Sequence, residues 1–284
     1  YAGAIVGGGA LTKAGAGTLT LSGVNTYAGT TLADGTLALG SATALGAGSL
    51  SVVAAASLAN VSGADLTVAN NARLYLSGDL TYVTAAQALN LGAGRVTVSG
   101  DRTLNTAGTL TFGGNLVGVG SLTKTGAGNL VLAGANALAG GLTVNAGTVT
   151  LGTSASLGAG AVAVNGGTLA FGSAVSSVEV ASLATGAGTT IALTNAATTG
   201  VDLRVSAGRL AGALAGAGSL IQVVNAAMGN QARFDEMKAF FGTVGQGDEA
   251  GVWEDVPVMH PDFKKEVRRQ FEKKQKKRKA EEMG

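Results

Sequence analysis

The sequence predicts a mainly β protein, in which a parallel β-helix (a solenoid) is followed by a short, charged, helical C-terminal segment. Three observations support this fold class: a long internal repeat, short runs with an apolar residue at every second position, and no helical window between those runs. Period two is typical of a strand with one buried face, and parallel strands of an α/β protein would need crossover helices. Coiling the chain, so that each strand stacks on its equivalent one turn earlier, satisfies all three observations.

The repeat consists of two module copies, residues 3–52 and residues 114–164. Lys13 aligns with Lys124, and after one inserted residue in the second copy Gly35 aligns with Gly147. Glycine, leucine and asparagine positions align with the same offsets. A module repeated in a chain of short strands is the sequence signature of a solenoid.

The short runs alternate Leu or Val with Thr, Ser or Ala, as in Thr18–Leu21 and Thr148–Leu151, and end at Gly, Asn or Asp. We therefore expect Leu and Val to fill the interior and Thr and Ser to face water. The same alternation of apolar and small polar residues continues to residue 222, and at roughly 20 residues per turn this length corresponds to about 10 or 11 turns. Residues 82–90 predict a short helical turn or a loop leaving the coil.

The pattern from Gly9 to Thr31 reads G-x-L-x-K-x-G-x-G-x-L-x-L-x-G-x-N-x-Y-x-G-x-T. It closely resembles the passenger-associated repeat of bacterial autotransporters. The second copy departs from it at Leu138, where the repeat has Tyr, and at Gly141 and Leu142, where it has Thr. The resemblance implies a right-handed parallel β-helix stalk that is secreted or displayed on a Gram-negative cell surface. It specifies an architecture and names no ligand.

The composition changes after residue 222. Residues 1–222 contain seven basic and six acidic side chains, whereas residues 223–284 contain 12 basic and 11 acidic side chains together with all four Met. This last segment predicts a helix-loop-helix that either caps the solenoid or forms a separate interaction segment. The large apolar candidates for a cap or a partner contact are Phe234, Phe240, Phe241 and Trp253.

A run of basic side chains lies in the second predicted helix. Its members are Lys273, Lys274, Lys276, Lys277, Arg278 and Lys279. Such a run can bind the phosphate backbone of nucleic acid or another anionic partner, whose counterions are released on binding. The alternative is a solvated helix end, because basic side chains suit a helix C-terminus.

Residues with catalytic potential are sparse, so we predict that the protein is not an enzyme and has no catalytic residue. The closest cluster of charges is Asp101 and Arg102, with Asp79 and Arg95 nearby in sequence, but adjacent strand residues point to opposite faces. The absence of Cys excludes disulfides and thiolate metal sites. A lone His260 is neither a triad nor a metal site. No metal or cofactor is expected.

The sequence therefore predicts a non-enzymatic, surface-displayed solenoid that acts as an adhesin stalk or structural scaffold. Its expected partners are molecules of a host or neighbouring-cell surface, or other copies of itself. One alternative is a carrier solenoid whose basic C-terminal segment binds a partner, nucleic acid or an anionic surface. Further alternatives are a fibre-forming structural protein and an artificial fusion. No apolar run is long enough for a membrane span.

Overall fold

A computed structural model of the chain describes residues 1–69, 73–153, 157, 160–197 and 199–222. Within these residues the regular structure is β-strand. The first strands are β1 (Ala10–Lys13), β2 (Thr18–Leu21), β3 (Gly29–Leu32), β4 (Thr36–Leu39), β5 (Leu50–Val52), β6 (Ala56–Asn60), β7 (Leu66–Thr67), β8 (Leu74–Leu76), β9 (Leu80–Tyr82), β10 (Leu89–Asn90), β11 (Val96–Val98), β12 (Arg102–Thr106) and β13 (Leu110–Phe112). The chain continues with β14 (Leu116–Gly118), β15 (Leu122–Thr125), β16 (Asn129–Leu132), β17 (Ala137–Leu138), β18 (Leu142–Val144), β19 (Thr148–Leu151), β20 (Ala161–Val164), β21 (Thr168–Phe171), β22 (Ser177–Thr185), β23 (Thr190–Ala192), β24 (Asp202–Leu210), β25 (Ala213–Ala215) and β26 (Leu220–Gln222).

The strands form three parallel sheets that face one another around a common axis. The first sheet contains β1, β3, β5, β8, β11, β14 and β17. The second contains β2, β4, β6, β9, β12, β15, β18, β20, β22, β24 and β26, and the third contains β7, β10, β13, β16, β19, β21, β23 and β25. Through the middle of the chain, each turn visits the three sheets in order and returns to the first sheet one level further on. The predicted parallel β-solenoid is confirmed, and its eleven-stranded sheet is about 50 Å long at one strand spacing per turn.

The interior is one continuous apolar core. In the first sheet Leu50, Leu74, Val96 and Leu116 lie in register on consecutive turns, and all four side chains are buried. The intervening positions of these strands are half-buried and carry residues such as Thr97. The expectation that Leu and Val fill the interior is therefore confirmed. The polar residues between them face outward in these strands, but a few polar side chains elsewhere, such as Lys124 and Thr106, are buried.

The length of a turn varies along the chain. Ala10 pairs with Gly29 in a short turn, whereas Leu80 pairs with Leu104 in a longer one. Most of the extra length of the longer turn lies between Tyr82 and Leu89, where the structure has a loop. Of the predicted range 82–90, residues 83–88 form the loop, whereas Tyr82 belongs to β9 and Leu89–Asn90 form β10. The Tyr82 hydroxyl holds this loop by donating to the Gln87 carbonyl.

The two module copies lie on different faces of the solenoid. In the first copy β1 and β2 belong to the first and second sheets, whereas their equivalents β15 and β16 belong to the second and third sheets. In the first sheet β14 lies five strands beyond β1, which corresponds to five turns. The next strand, β15, is the equivalent of β1 but lies in the second sheet, so the two copies are offset by about five and a third turns. The second copy is therefore rotated by one face about the solenoid axis.

Candidate functional sites on the solenoid

Each module copy buries one lysine at a corner of the solenoid. Lys13 ends β1 and Lys124 lies in β15, each two residues after an inward-facing leucine, Leu11 or Leu122. The exposed fractions of the two lysine side chains are 5% and 0%. A buried ammonium is costly unless it is hydrogen-bonded, so its contacts determine what the corner can do.

Main-chain carbonyl groups surround both ammonium groups. The Lys124 ammonium donates to the carbonyl oxygens of Thr125, Gly126 and Ala146, at 2.7, 2.8 and 3.2 Å. The equivalent acceptors of Lys13 are the carbonyl oxygens of Ala14, Gly15 and Asp34. Because the third acceptor in each set belongs to the next turn, each lysine joins two turns of the solenoid.

Burial also changes the titration of the second lysine. It lowers the pKa of Lys124 from 10.5 to about 8, because removal from water disfavours the charged ammonium. A lysine with such a pKa can serve as a nucleophile or base when a substrate reaches it. Lys124 is fully buried among carbonyl groups, so its role in this geometry is to tie turns together.

An asparagine connects neighbouring turns in both copies. The Asn25 side-chain oxygen accepts a hydrogen bond from the Ile5 amide at 2.9 Å, and its nitrogen donates to the Ala44 carbonyl at 2.9 Å. Asn136 accepts from the Leu116 amide at 3.1 Å in the second copy. The asparagine therefore pairs backbone groups that the strand ladder leaves unpaired at a corner.

Tyr27 lies against this corner in the first copy. Its hydroxyl group donates to the Ala44 carbonyl at 2.8 Å and lies 2.9 Å from the Thr30 hydroxyl, which in turn donates to the Leu45 carbonyl at 3.1 Å. The Tyr27 side chain is 2% exposed, and burial raises the pKa of its hydroxyl group. The tyrosine thus combines core packing with a polar contact to the next turn.

The departures of the second copy from the repeat are structurally coupled. Leu138 occupies the position of Tyr27. Leu142 occupies the position of Thr30, because it pairs with Leu122 as Thr30 pairs with Leu11, and both leucines are 2% exposed. The inserted residue is accommodated by a turn that ends at Gly141, whose φ of 89° favours glycine. The second copy therefore replaces both side chains of the Tyr27–Thr30 hydrogen bond by apolar groups, so neither side chain is left without its partner.

Aspartates also connect turns. A side-chain oxygen of Asp79 accepts from the Thr103 amide at 2.8 Å, and one of Asp101 accepts from both the amide and the hydroxyl of Ser121 at 2.8 Å. These hydrogen bonds from Ser121, with a smaller contribution from the charge of Arg102, hold the pKa of Asp101 below 3.8. Each carboxylate therefore accepts from the backbone of the following turn, and this is a structural use of an acidic side chain.

Two kinds of feature are absent from the part of the chain that the structure describes. Among those residues, no group of three or more His, Cys, Asp or Glu is placed to hold a metal ion. The same residues include no helix that is both long and apolar enough to pass through a membrane.

The site residues predicted in the C-terminal segment all lie outside the described residues. These are the basic run, Lys273, Lys274, Lys276, Lys277, Arg278 and Lys279, and the apolar set, Phe234, Phe240, Phe241 and Trp253. Their roles as an anionic-partner site, a cap or a partner contact stay predictions.

The sequence analysis did not identify the two buried lysines as functional residues, although the sequence contains a pattern that distinguishes them. Lys13 and Lys124 are in phase with inward leucines, recur at the module offset and are each followed two residues later by glycine. Gly15 and Gly126 have φ values of 73° and 76°, which turn their carbonyl groups at the corner. A charged residue at an inward-facing position of a repeat therefore indicates an internal hydrogen-bonding site.

Together, the three-sided parallel coil and the repeated lysine and asparagine corners define a repeat-built solenoid scaffold. Residues 11–39 and 122–151 match the family described as Passenger-associated-transport-repeat. The resemblance predicted from the lysine, glycine and asparagine spacing is confirmed in both module copies. The chain thus carries two passenger repeats within a solenoid consistent with an autotransporter passenger.

Another similarity involves a different class of protein. The chain is 55% identical over 58 residues to the chlorophyllide reductase 52.5 kDa chain of Rhodobacter capsulatus, and 48% identical over 58 residues to the protein of the same name from Cereibacter sphaeroides. Each match covers 20% of this chain and 12% of the relative, so the chain spans about one eighth of the length of these relatives. No solved structure matches the chain significantly.

Proposed function

We propose that residues 1–222 act as a non-enzymatic adhesin stalk or structural scaffold, presented outside a Gram-negative cell. The observation that supports this function is the continuous apolar core, into which polar side chains enter mainly to bond the backbone of neighbouring turns. The lysine and asparagine contacts described above have this form, and the exposed Asp79 and Asp101 bond neighbouring turns from the outside. They stiffen the coil, as a stalk requires.

The mechanism of such a stalk is geometric. Each turn adds about 4.8 Å along the axis and repeats similar outward positions, so the solenoid is both a spacer and a ladder of weak contact points. Many weak contacts to one surface produce avidity without a deep pocket. Rigidity contributes because preordered contacts lose less conformational entropy on binding.

Adhesion can be tested with the full chain attached to beads at several densities. We expect retention on host cells or matrix to rise more steeply than in proportion to density, because binding depends on several simultaneous contacts. A variant with a broken core, Leu104→Asp, serves as the unfolded control, since Leu104 is 1% exposed. Equal affinity for a single chain in solution and a dense coat would contradict the proposal.

Presentation at the surface needs a separate measurement. Cells that express the parent gene should lose the solenoid to added protease without lysis, while a cytoplasmic marker remains intact. A solenoid that is digested only after lysis would contradict surface display.

The second candidate function concerns residues 223–284, and the change of composition after residue 222 favours it. Its 62 residues hold 12 basic and 11 acidic side chains, whereas the passenger repeats lie before it in a part of the chain with few charges. We infer that the segment has an origin separate from the solenoid and acts as an interaction module, with its basic run as the contact to an anionic partner. A fusion of two chains is compatible with the same observations.

This candidate predicts strongly salt-dependent binding. Replacing the six basic residues of the run by Gln should lower retention of the full chain on a polyanion column and flatten its dependence on salt. The solenoid provides the control, because its own unfolding should be unchanged. Unaltered retention of that variant would exclude the basic run as the binding element.

A further inference from the structure

Two arginines stack on the outer face of the first sheet. Arg73 precedes β8 and Arg95 precedes β11, and both side chains are exposed. The Leu74 amide donates to the Arg95 carbonyl at 2.9 Å, and the Leu50 amide donates to the Arg73 carbonyl at 3.0 Å. These bonds place the two arginines at equivalent positions on consecutive turns, one strand spacing apart, or about 4.8 Å.

The neighbouring positions in the described strands are uncharged. The same column continues with Ser49 on one side and Asn115 on the other, as the backbone bonds of the ladder show. The next outward column contains Ser51, Tyr75 and Thr97 in register. The half-buried Tyr75 lies two residues after Arg73 and therefore on the same face of the sheet.

Placing two like charges at neighbouring positions on adjacent strands lowers stability. Elsewhere the solenoid uses the opposite arrangement, since Glu179 of β22 lies in register with Arg204 of β24 and both are exposed. Neither of the two described columns around Arg73 and Arg95 supplies such a compensating carboxylate. A ligand that brings negative charge would turn this repulsion into attraction.

We propose that Arg73, Tyr75 and Arg95, the arginine patch, bind an acidic polysaccharide through its carboxylate or sulfate groups. The proposal rests on the adhesin function and names its ligand class and its site. Guanidinium groups form paired hydrogen bonds with carboxylate and with similar oxyanions, and two exposed arginines occupy equivalent positions on consecutive turns here.

The neighbours of the arginines favour a saccharide over other polyanions. Tyr75 offers an apolar ring with a polar tip, which suits a sugar ring with hydroxyl groups at its edge. The side chains of Ser51, Thr97 and Asn115 add hydrogen-bond donors and acceptors on the same face. The open sheet face runs along the solenoid axis, so an extended polymer can follow it from turn to turn.

Binding of the full chain to three immobilised polymers tests the site: polygalacturonate for carboxylates, dextran sulfate for sulfates and plain dextran as the neutral control. We expect the wild-type chain to bind at least one acidic polymer and not dextran, and the polymer that is bound identifies the group. The double variant Arg73→Gln, Arg95→Gln should bind about tenfold more weakly or worse. Arg204→Gln is the matched control, because Arg204 faces Glu179, and it should change affinity less than about threefold.

Two further measurements separate this site from the basic C-terminal run and from a structural role of the arginines. The variant that lacks the six basic charges of the C-terminal run should bind the acidic polysaccharide as the wild type does. The variant Tyr75→Ser should bind the polysaccharide more weakly and should bind duplex DNA unchanged. The double arginine variant should unfold at the same temperature as the wild type or higher, because a repulsion has been removed. A lower unfolding temperature would show that the arginines are structural and would overturn the site.

The remaining outcomes also decide the question. Undiminished polysaccharide binding by the double variant, or equally effective competition by duplex DNA, overturns the arginine patch as a saccharide site. If bead-bound chains adhere to cells and acidic polysaccharides do not compete, the adhesin function stands and this site falls. If bead-bound chains adhere to no cell or matrix, the adhesin function itself fails.

Discussion

Replacement of the buried lysine in the second module copy, Lys124→Met, should destabilise the solenoid. Methionine has a similar length and suits an apolar interior, so the change removes the ammonium without leaving a large cavity. It leaves the carbonyl oxygens of Thr125, Gly126 and Ala146 without the donor that they share. The loss of these cross-turn hydrogen bonds is the main effect to be measured.

The magnitude follows from two opposing contributions. A buried acceptor that loses its partner costs about 1–3 kcal/mol, but the three residues that supply the carbonyls are only half-buried, so water can satisfy some of the oxygens. The variant also avoids the cost of burying a charge, which is the cause of the lowered pKa of Lys124. We therefore expect a net loss of about 2–4 kcal/mol in the free energy of unfolding, or roughly 5–12 °C in the thermal midpoint.

Circular dichroism of the β signal during heating and during denaturant titration measures both quantities. Thr123→Val is the matched control, because Thr123 lies in the same strand and faces outward, and it should change stability by less than about 0.5 kcal/mol. Lys13→Met repeats the test in the first copy and should have the same sign. A Lys124→Met variant as stable as the wild type would refute the conclusion that the ammonium holds neighbouring turns together.

Three other predictions use the same contacts. Burial lowers the pKa of Lys124 from 10.5 to about 8, so between these pH values the unfolded chain binds more protons than the folded chain. The free energy of unfolding of the wild type, measured relative to Lys124→Met, should therefore rise from pH 8 to pH 10.5. A difference that does not change with pH would contradict this. Tyr27→Phe removes the hydrogen bond to the Ala44 carbonyl and should lower the free energy of unfolding by about 1–2 kcal/mol, as denaturant titration can check. Gly48→Ala should destabilise by about 1–3 kcal/mol or more, because a Cβ there would overlap the Ala28 carbonyl oxygen of the adjacent turn. Gly17→Ala is its control, since a Cβ at Gly17 meets nothing within 4 Å, and equal stability of the two variants would argue against the stacking geometry.

The fold class was predictable from the sequence because a parallel solenoid depends on local patterns. Alternation of Leu or Val with Thr or Ser decides which side chains enter the interior, and the recurrence of a module decides that turns stack. The passenger-repeat resemblance had the same basis, since the spacing from Lys13 to Asn25 is a property of contiguous residues. Both predictions required no knowledge of which turn lies beside which, and both are confirmed.

The pairing of particular residues could not be predicted, because turns differ in length. The turn from Ala10 to Gly29 is shorter than the turn from Leu80 to Leu104, so no fixed offset identifies stacked neighbours. The stacking of Arg73 on Arg95 and the contact of Lys124 with Ala146 each cross one turn, and neither is visible as a pattern. The roles of residues 223–284 stay predictions for the separate reason that they lie outside the described residues.

The sequence by itself determined that the chain coils, which residues face the interior and where the module recurs, since all three depend on periodicity along a single strand or a short run of strands. Only the tertiary structure decided that the second copy is turned by one face, that its lysine is enclosed by carbonyl groups and that two arginines occupy equivalent positions on consecutive turns. These features depend on the summed lengths of all preceding turns. A residue added in a corner can be absorbed there, as at Gly141, after which Leu142 lies in register with Leu122, and only the structure shows which corner absorbs it.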